Sequence, residues 1–413
     1  MQYAPAGLIQ KTGVTLDWKT EDLKVPGFLA NGIHCGIKED KSKNDLALLY
    51  SRSPAKIAGV FTTNCFKAAP VVLCRERIGS GSGQAVIINS GNANAATGSE
   101  GYRAARSTSR AVSRALRIKD ELVYVASTGV IGNPLPVDKI LEGVPRLVSG
   151  LSESGIYAAE QGIMTTDRFP KIGLAKFRAG FTEISVCGIA KGAGMIEPNM
   201  ATLLSFVLTD LEVDIESLRK IFRSCIEGSF NAISVEGCMS TNDTALILAN
   251  GAAANRAPGA PGLVKFRDCL SEIRSGLELA MVRDGEGATK VVKITVEGAA
   301  TRADAKKIAY KIAGSNLVKT AFFGQDPNWG RIISAAGAAG IKLPADSAEV
   351  AIGGLTVFRK GRAVRKDAGK LLNIMTADAF EVKVKVGMGK AVFSMHTSDL
   401  TYDYVKLNAH YHT

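Results

Sequence analysis

The chain has 413 residues, of which 46% are hydrophobic and 22% charged, and it carries a net charge of +12. This composition excludes a disordered chain, because it holds ample apolar material for a core, and the length favours about two to three domains. No apolar stretch reaches the roughly 20 residues of a membrane-spanning helix. The first residues also lack the pattern of a secretory signal peptide, so we expect a cytoplasmic protein with no membrane partner.

The predicted elements mix strands and helices throughout, which indicates an α/β or α+β layered fold. In chain order, the patterns predict a glycine-rich turn at 79–83, strands at 85–88 and 122–125, an amphipathic helix over 215–226 capped by Asp214, a loop or linker over 250–262, a helix over 302–315, and hairpin strands at 349–352, 355–358, 381–386 and 391–395. We expect the tail to continue as strands, which would place His410 and His412 on one strand face.

The cysteines and the basic residues point to no special site. The seven cysteines are dispersed without Cys-x-x-Cys spacing, which predicts reduced thiols packed as small core residues. The excess of basic residues is not concentrated in a run, and attraction for small acidic substrates explains it as well as nucleic acid does. A set of arginines recurs at helical spacing and predicts a solvated helix face: Arg103, Arg106, Arg110, Arg114 and Arg117.

Several kinds of catalytic site are excluded by missing motifs. The chain has no Gly-x-Ser-x-Gly elbow, no His-Glu-x-x-His or Cys-x-x-Cys zinc motif, and no P-loop. Acyl chemistry without histidine is still open, because a free α-amino group, with a pKa of about 7.7–8.0, can act as base for its own Ser, Thr or Cys side chain. Such a nucleophile requires cleavage of the chain just before it.

One segment carries the most information, Lys-Gly-Ala-Gly-Met-Ile-Glu-Pro-Asn-Met-Ala-Thr-Leu-Leu-Ser-Phe at 191–206. From its residues alone it reads as a loop that enters a buried strand. The segment closely resembles the autoprocessing site of the ornithine acetyltransferase family, glutamate N-acetyltransferases of arginine biosynthesis that cleave themselves at an Ala-Thr bond. Further stretches resemble the family's motifs in the same order, at 88–98, 126–132, 164–167, 240–244, 284–290, 324–331 and 399–405.

The resemblance implies a role for individual residues. It makes Thr202 the nucleophile, Ala201–Thr202 the cleaved bond, and the Thr128 hydroxyl and Gly129 N–H the oxyanion donors. Lys191 can pair with the carboxylate of N-acetylornithine and Glu286 with its side-chain ammonium. The substrate-binding set that the resemblance implies is Thr165, Lys191, Thr202, Glu286, Asn408 and Thr413.

The resemblance also implies the activity and the architecture. Thr202 would take the acetyl group from N2-acetyl-L-ornithine and pass it to L-glutamate in a ping-pong reaction that needs no cofactor or metal. Some family members also use acetyl-CoA, and the residues leave open whether this chain does. The implied fold is an αββα sandwich with a smaller additional α/β domain, and the fragments 1–201 and 202–413 would associate as α2β2.

The sequence leaves two alternatives to this function open. A related self-processing amidase or aminopeptidase would use water instead of glutamate as the acceptor, and a nucleic-acid-binding protein would account for the positive charge. The chain departs from the family's pattern at positions that carry none of the roles above, namely Glu197, Glu236, Cys238, His410 and His412.

Overall fold

A computed structural model of the chain describes residues 14–15, 22–196, 203–227, 232–256, 258–364 and 367–410, with only the backbone at Val14, Thr15, Glu227 and Ala345. These residues form two sheets, each with its own helices. Five positions singled out above lie outside the described residues: Glu197, Ala201, Thr202, His412 and Thr413.

Strands and helices are interspersed along the chain, as the sequence predicts. The strands are β1 (Val14–Thr15), β2 (Phe28–Ile33), β3 (Leu46–Phe61), β4 (Ser82–Asn92), β5 (Val123–Val130), β6 (Ile172–Ala179), β7 (Thr182–Lys191), β8 (Leu204–Thr209), β9 (Ile233–Ser234), β10 (Thr244–Ala249), β11 (Val291–Ala299), β12 (Glu349–Ile352), β13 (Leu355–Arg359), β14 (Arg362–Ala363), β15 (Ala379–Lys385) and β16 (Ala391–Ser398). The helices are α1 (Ala69–Arg77), α2 (Gly98–Leu116), α3 (Val137–Ser149), α4 (Ile156–Ile163), α5 (Ile215–Glu227), α6 (Ala260–Arg283), α7 (Arg302–Ala313), α8 (Asn316–Phe323), α9 (Trp329–Gly337), α10 (Ala368–Thr376) and α11 (Tyr402–His410).

The first sheet follows the order β1–β6–β7–β8–β10–β3–β4–β5, with β2 also paired to β3. Strand β3 has 16 residues and contributes to both layers of strands. Its first part, from Leu46 to Ser51, pairs with β2, and its last part, from Lys56 to Phe61, pairs with β10. One apolar cluster joins side chains of both parts with side chains of β8 and β10. The path of strands therefore folds back at β3 and packs against itself.

Helices cover the two outer faces of this folded sheet. In β8, Phe206 points into the cluster between the strand layers, while Val207 packs towards α5 and α6. In β5, Tyr124 joins the same inner cluster, while Val125 packs towards α2 and α3. This alternation is the period of two that every strand imposes on its side chains. The four layers form the αββα sandwich that the resemblance implies.

The second, smaller sheet has the order β14–β13–β12–β15–β11–β16–β9 and forms an additional α/β layer structure. Its core shows the same alternation. Val292, Ile294 and Val296 of β11 point towards α7 and pack against Ile308 and Ile312. Strand β9 lies between α5 and β10 in the chain, so the peptide passes through the edge of the smaller sheet before it returns to the sandwich.

Most predicted elements lie within observed ones. The helix predicted over 215–226 is α5, and the N–H of Ser217 donates to Asp214 Oδ1 at 2.8 Å, which confirms the cap. The glycine-rich turn is confirmed at Gly81, which has a φ of 67° just before β4. The predicted strands at 85–88, 349–352 and 391–395 lie inside β4, β12 and β16.

Three expectations are wrong in part. The hairpin predicted from 381–386 and 391–395 does not form, because β15 and β16 lie on opposite sides of β11 and do not pair with each other. The predicted loop over 250–262 ends earlier, because α6 begins at Ala260 with a proline in its first turn, where the missing N–H is not needed. The tail does not continue as strands, because α11 runs from Tyr402 to His410. His410 therefore lies on a helix, and the prediction that it shares a strand face with His412 is wrong.

The expectations for cysteines and arginines are largely confirmed. All seven cysteines are free thiols, and four of them are buried, but Cys65 and Cys238 are exposed and are not core residues. On α2, Arg103, Arg110 and Arg114 face solvent. In the described part of the chain, no helix has the length and apolar character needed to cross a membrane.

Candidate active site

Neutral amide and hydroxyl side chains line the carboxyl ends of β4 and β5. Ser127 Oγ donates to Asn89 Oδ1 at 2.5 Å, and Asn89 Nδ2 donates to the carbonyl of Asn92 at 2.8 Å. Asn242, just before β10, donates from Nδ2 to the carbonyls of Ala93 at 2.6 Å and Ser127 at 2.8 Å. We call Asn89, Asn92, Ser127 and Asn242 the amide cluster. All four are buried, so their bonds hold the strand ends without placing a net charge there.

Thr128 and Gly129, the predicted oxyanion donors, follow directly on Ser127. Thr128 is 7% exposed, and no hydrogen bond of its hydroxyl to another described residue is present. Gly129 has a φ of 132°, and a Cβ there would lie 2.4 Å from the carbonyl carbon of Gly91. Glycine is the residue that such a backbone tolerates. The part of β5 that carries the two predicted donors therefore lies in close backbone contact with β4 at Gly91.

A buried carboxyl group holds the first residue after the predicted nucleophile. The N–H of Leu203 donates to Asp243 Oδ1 at 2.9 Å, and its carbonyl accepts the N–H of Thr244 at 3.1 Å. Burial raises the pKa of the Asp243 carboxyl well above its usual range, although the Leu203 N–H and the Lys191 charge oppose that shift. Asp243 Oδ2 has no hydrogen-bond partner among the described residues.

A second carboxyl group holds the chain on the other side of the predicted cleavage segment. The N–H of Ile196 donates to Glu236 Oε1 at 2.6 Å, and the carbonyl of Ile196 accepts the N–H of Val235 at 2.9 Å. Burial raises the pKa of Glu236 to about 8, and the nearby negative charge of Glu286 adds to the shift. Residues 235–244 therefore bind the chain both before and after the interval that contains Ala201 and Thr202.

Ionised side chains build a different part of the site, beside the ends of β7 and α6. Asp167 Oδ1 accepts from Lys171 Nζ at 2.7 Å and from the N–H of Gly192 at 2.8 Å. Asp167 Oδ2 accepts the N–H of Thr165 at 2.9 Å and lies 3.9 Å from Lys191 Nζ. We call Asp167, Lys171, Lys191 and Asp284 the charged cluster. Asp167 alone therefore binds the segments that carry two predicted substrate residues, Thr165 and Lys191.

The charges of this cluster compensate one another inside the protein. The side chains of Asp167, Lys171 and Asp284 have no exposed surface, and Lys171 Nζ lies 2.5 Å from Asp284 Oδ2. Burial alone would raise the pKa of Asp167, but Lys171 and Lys191 outweigh it and hold that pKa well below its usual range. Burial alone would lower the pKa of Lys171, and the two carboxylates outweigh it in the same way. Both groups are therefore charged at neutral pH.

Glu286 and Asn408 meet at the other predicted end of the substrate site. Asn408 Nδ2 donates to Glu286 Oε2 at 2.9 Å and to the carbonyl of Tyr404 at 3.1 Å. The N–H of Glu286 donates to the carbonyl of Ala193 at 2.9 Å. A Cβ on Gly194 would lie 2.4 Å from Glu286 Oε1, so a larger residue there would displace this carboxylate from the loop. Helix α11, which the sequence did not predict, is the element that brings Asn408 here.

The structure brings the described predicted residues into two linked groups. Thr165 and Lys191 meet through Asp167, and Glu286 joins them through Ala193. Thr128 and Gly129 are connected to the same region through the sheet. Asn242, just before β10, binds the carbonyl of Ser127, and β10 lies next to β8, where Leu204 pairs with Lys191. Ala201, Thr202 and Thr413 lie outside the described residues, so their roles stay predictions.

Sequence reasoning missed four residues of the site. Asp167 and Asp243 lie inside quoted motifs, but nothing in their spacing shows that they bind main-chain N–H groups. Glu236 was noted only as a departure from the family's pattern. Lys38 has no local signal at all; its Nζ donates to the carbonyl of Met164 at 2.7 Å, and burial lowers its pKa to about 8. Within the described ranges, no three His, Cys, Asp or Glu side chains are grouped so as to hold a metal ion.

Comparison with known proteins assigns the chain to a family. The model of the ArgJ family matches residues 29–413, a range that includes all the site residues described above and every strand from β3 onwards. The chain belongs to the ArgJ family. The arginine biosynthesis bifunctional protein ArgJ of Geobacter sulfurreducens is 46% identical over 394 residues, which cover 95% of this chain and 100% of that protein. The protein of the same name from Symbiobacterium thermophilum is 44% identical over 402 residues, covering 96% and 100%.

A solved structure that is similar to part of this chain is that of the ornithine acetyltransferase of Mycobacterium tuberculosis complexed with ornithine. It is 39% identical to this chain, covers 44% of this chain and 95% of its own, and superposes with a TM-score of 0.41. The ArgJ family match alone is sufficient for the assignment, because it includes all the described candidate residues from Thr128 to Asn408.

Proposed function

We propose that the chain transfers the acetyl group of N2-acetyl-L-ornithine to L-glutamate, giving ornithine and N-acetylglutamate. Membership of the ArgJ family makes it an acyltransferase of arginine biosynthesis. The observation that carries the choice of substrate is the pairing of opposite charges in one site. A buried lysine, Lys191, ends β7, and the loop that follows it is joined to the loop of the carboxylate Glu286 by the Glu286–Ala193 hydrogen bond. The two side chains match the carboxylate and the ammonium of acetylornithine.

The proposed reaction begins with self-cleavage before Thr202. The Thr202 hydroxyl attacks the carbonyl carbon of Ala201, the peptide bond opens to an ester, and water then hydrolyses the ester. This releases the Ala201 carboxylate and the Thr202 α-amine, which becomes the base for its own hydroxyl. The positions of Glu236 and Asp243 support this step, because their carboxyl groups bind the chain on both sides of the cleavage segment.

In the transfer reaction, Thr202 Oγ attacks the acetyl carbon of acetylornithine, and the α-amine takes the hydroxyl proton. The Thr128 hydroxyl and the Gly129 N–H stabilise the oxyanion, and the C–N bond breaks as the ornithine nitrogen receives the proton. Glutamate then attacks the acetyl-Thr202 ester with its neutral amine, and the acyl C–O bond breaks. The Thr202 α-amine passes the proton lost by the glutamate nitrogen to Thr202 Oγ, which frees N-acetylglutamate and restores the hydroxyl. Thr165, Asn408 and Thr413 complete the substrate site in this proposal.

Three further expectations belong to the same proposal. The cycle uses neither a metal nor an organic cofactor, and acetyl-CoA would enter only as an alternative donor of the acetyl group. The fragments 1–201 and 202–413 stay together and pair as α2β2. The protein works in the cytoplasm, on small-molecule substrates and without nucleic acid.

The decisive experiment combines mass measurement with an acetyl-transfer assay. At about 105 Da per residue, taken from 43.5 kDa for 413 residues, cleavage before Thr202 predicts fragments of roughly 21 and 22 kDa in place of one chain. We expect the wild-type protein to release ornithine continuously only when glutamate is present, with no more than one equivalent per active site released without it, and Thr202→Ala to give one uncleaved, inactive chain. Continuous ornithine release without glutamate would show an amidase instead, and acetyl transfer by Thr202→Ala would refute the mechanism.

A further inference from the structure

The two predicted ends of the substrate site are carried by separate segments of the chain. Thr165 lies between α4 and β6, Lys191 ends β7, and Glu286 lies between α6 and β11. A diamino acid with a carboxylate at one end and an ammonium at the other must span the distance between them. The spacing of Lys191 and Glu286 therefore decides which length of side chain fits.

Main-chain contacts make the first connection between these segments. The N–H of Glu286 donates to the carbonyl of Ala193, two residues after Lys191. Gly194 allows the Glu286 carboxylate to lie against the same loop. This connection holds the backbone of the two loops together, but it leaves the segment that carries Thr165 unattached.

A chain of buried ions makes the second connection and includes that segment. Asp167, which binds the Thr165 and Gly192 N–H groups, pairs with Lys171, and Lys171 pairs with Asp284, two residues before Glu286. Arg168 adds to it from the same segment, because its main-chain N–H and its Nε both donate to Asp284 Oδ1, at 3.2 Å and 3.0 Å. The contacts of Lys171 and Arg168 with Asp284 cross from the carboxylate end of the site to the ammonium end.

We propose that the ion chain Asp167–Lys171–Asp284 positions Lys191 relative to Glu286 and thereby selects a diamino acid with three side-chain methylene groups over one with four. This inference rests on the proposed function for the roles of Lys191 and Glu286. Lys171 and Asp284 are positioning residues here, since they reach the substrate only through their neighbours.

The free energy needed to bury the ion chain supports a positioning role. Burying charged groups is expensive, and apolar side chains of similar volume give comparable or greater stability in several proteins. A hydrogen-bonded ion chain does what apolar packing cannot, because its directional bonds fix the distance between the loops. The nearest ion-pair partner of Lys191 among the described residues is 3.9 Å away, which leaves the Lys191 ammonium for a substrate carboxylate.

The test measures the ratio of kcat/KM for N2-acetyl-L-ornithine to kcat/KM for N2-acetyl-L-lysine, which is one methylene longer. One methylene is worth about 10- to 200-fold in a well-fitted site. We expect Asp284→Asn to lower the ratio by about tenfold, mainly through better use of acetyllysine, because the variant loosens the chain without removing a predicted substrate contact. Cleavage before Thr202 should be unchanged in this variant.

Glu160→Gln is the matched control. Glu160 is equally buried, and its Oε1 accepts the main-chain N–H of Lys171 at 3.0 Å, but its side chain is not part of the ion chain between the two ends. The control should keep the wild-type ratio. An unchanged ratio in Asp284→Asn, or an equal fall in both variants, would overturn the inference.

A second variant covers the case in which Asp284→Asn does not fold. Asp284→Glu keeps the charge and adds one methylene to the connection, so it should raise kcat/KM for acetyllysine while the protein stays folded and cleaved. No gain with acetyllysine would count against the inference. Failure of the wild-type protein to use acetylornithine would instead refute the proposed function.

Discussion

The amide cluster and the charged cluster stabilise neighbouring parts of one site by different means. At the ends of β4 and β5, Asn89, Ser127 and Asn242 hold the backbone with neutral dipoles. Beside β7, Asp167 and Lys171 hold it with full charges that no solvent reaches. Both sets are buried and hydrogen-bonded, so burial alone does not explain the difference.

The chemistry that each part is proposed to do accounts for the contrast. A negative charge appears on the acetyl oxygen only in the transition state, and fixed dipoles stabilise it without attracting an anion beforehand. The substrate, in contrast, carries its carboxylate and its ammonium throughout, and fixed charges match them. Substitutions near the amide cluster should therefore change kcat, and substitutions in the charged cluster should change KM.

The largest effect is expected at Gly129. Its φ of 132° and the 2.4 Å approach of a Cβ to Gly91 mean that Gly129→Ala must move β5 away from β4. Both oxyanion donors would be displaced, and we expect kcat to fall by about 1,000-fold with little change in KM. Gly132→Ala is the control, since Gly132 also has a positive φ, of 92°, but a Cβ there meets nothing within 4 Å. Equal losses in both variants would contradict this account.

Thr128→Ala should have the next largest effect, because it removes one donor and leaves the backbone in place. A fall in kcat of about 100-fold with KM nearly unchanged is expected in steady-state assays with acetylornithine. Thr108→Ala is suited as a control, because Thr108 is a buried threonine on α2 whose hydroxyl has no hydrogen-bond partner within the described residues. A rise in KM instead of a fall in kcat would assign Thr128 to substrate binding.

Lys191→Met tests the charged cluster. A hydrogen bond to a charged group contributes about 1.5–3 kcal/mol, so we expect KM for acetylornithine to rise by about 10- to 150-fold while kcat changes less. Lys319→Met is the matched variant, because Lys319 is also a buried lysine but donates to Thr397 and Ser398 in the smaller sheet. Loss of stability in both variants is expected, and a KM unchanged in Lys191→Met would remove this residue from the substrate site.

Glu236→Gln tests whether the Glu236 carboxyl group is protonated in the folded protein and so is neutral, like the side chains of the amide cluster. Its pKa is raised from 4.5 to about 8, so the folded protein binds this proton more tightly than the unfolded chain does. The stabilisation is complete below about pH 4.5 and is lost as the pH rises towards 8. We expect the amide variant to reduce the fall in unfolding free energy between pH 5 and 8 by about 3–4 kcal/mol in urea titrations. Glu216→Gln, at an exposed position of α5, should change nothing, and a wild-type pH profile in Glu236→Gln would contradict the assignment.

The elements that the sequence predicts well are those whose pattern is local. Helix α5 repeats its apolar residues at helical spacing and has its own cap at Asp214, so its bounds follow from the residues alone. Helix α11 has no buried residue and no apolar face, so its residues carry no local helical signal. Its position depends on contacts such as that of Asn408 with Glu286, which are 122 residues apart in sequence.

The same distinction applies to the site. The family's motifs point to Thr165, Lys191 and Glu286, and these do converge. The partners that hold them are found only in the folded chain, because Asp167 and Asp284 are 117 positions apart and meet through Lys171. Buried carboxyl groups that bind main-chain N–H groups, such as Asp243 and Glu236, leave no spacing signal either.

Strand β8 has a consequence for how such a protein can be made. It lies between β7 and β10, pairing with one on each side, while β10 also pairs with β3. Residues 1–201 translated alone would lack β8 and β10 and expose the edges of β7 and β3, which favours aggregation. Residues 202–413 translated alone would lack the strands on which β8 and β10 pack. A molecule of this design is best synthesised as one polypeptide and cut only after its sheets have closed, so the gene encoding it is poorly suited to division into two.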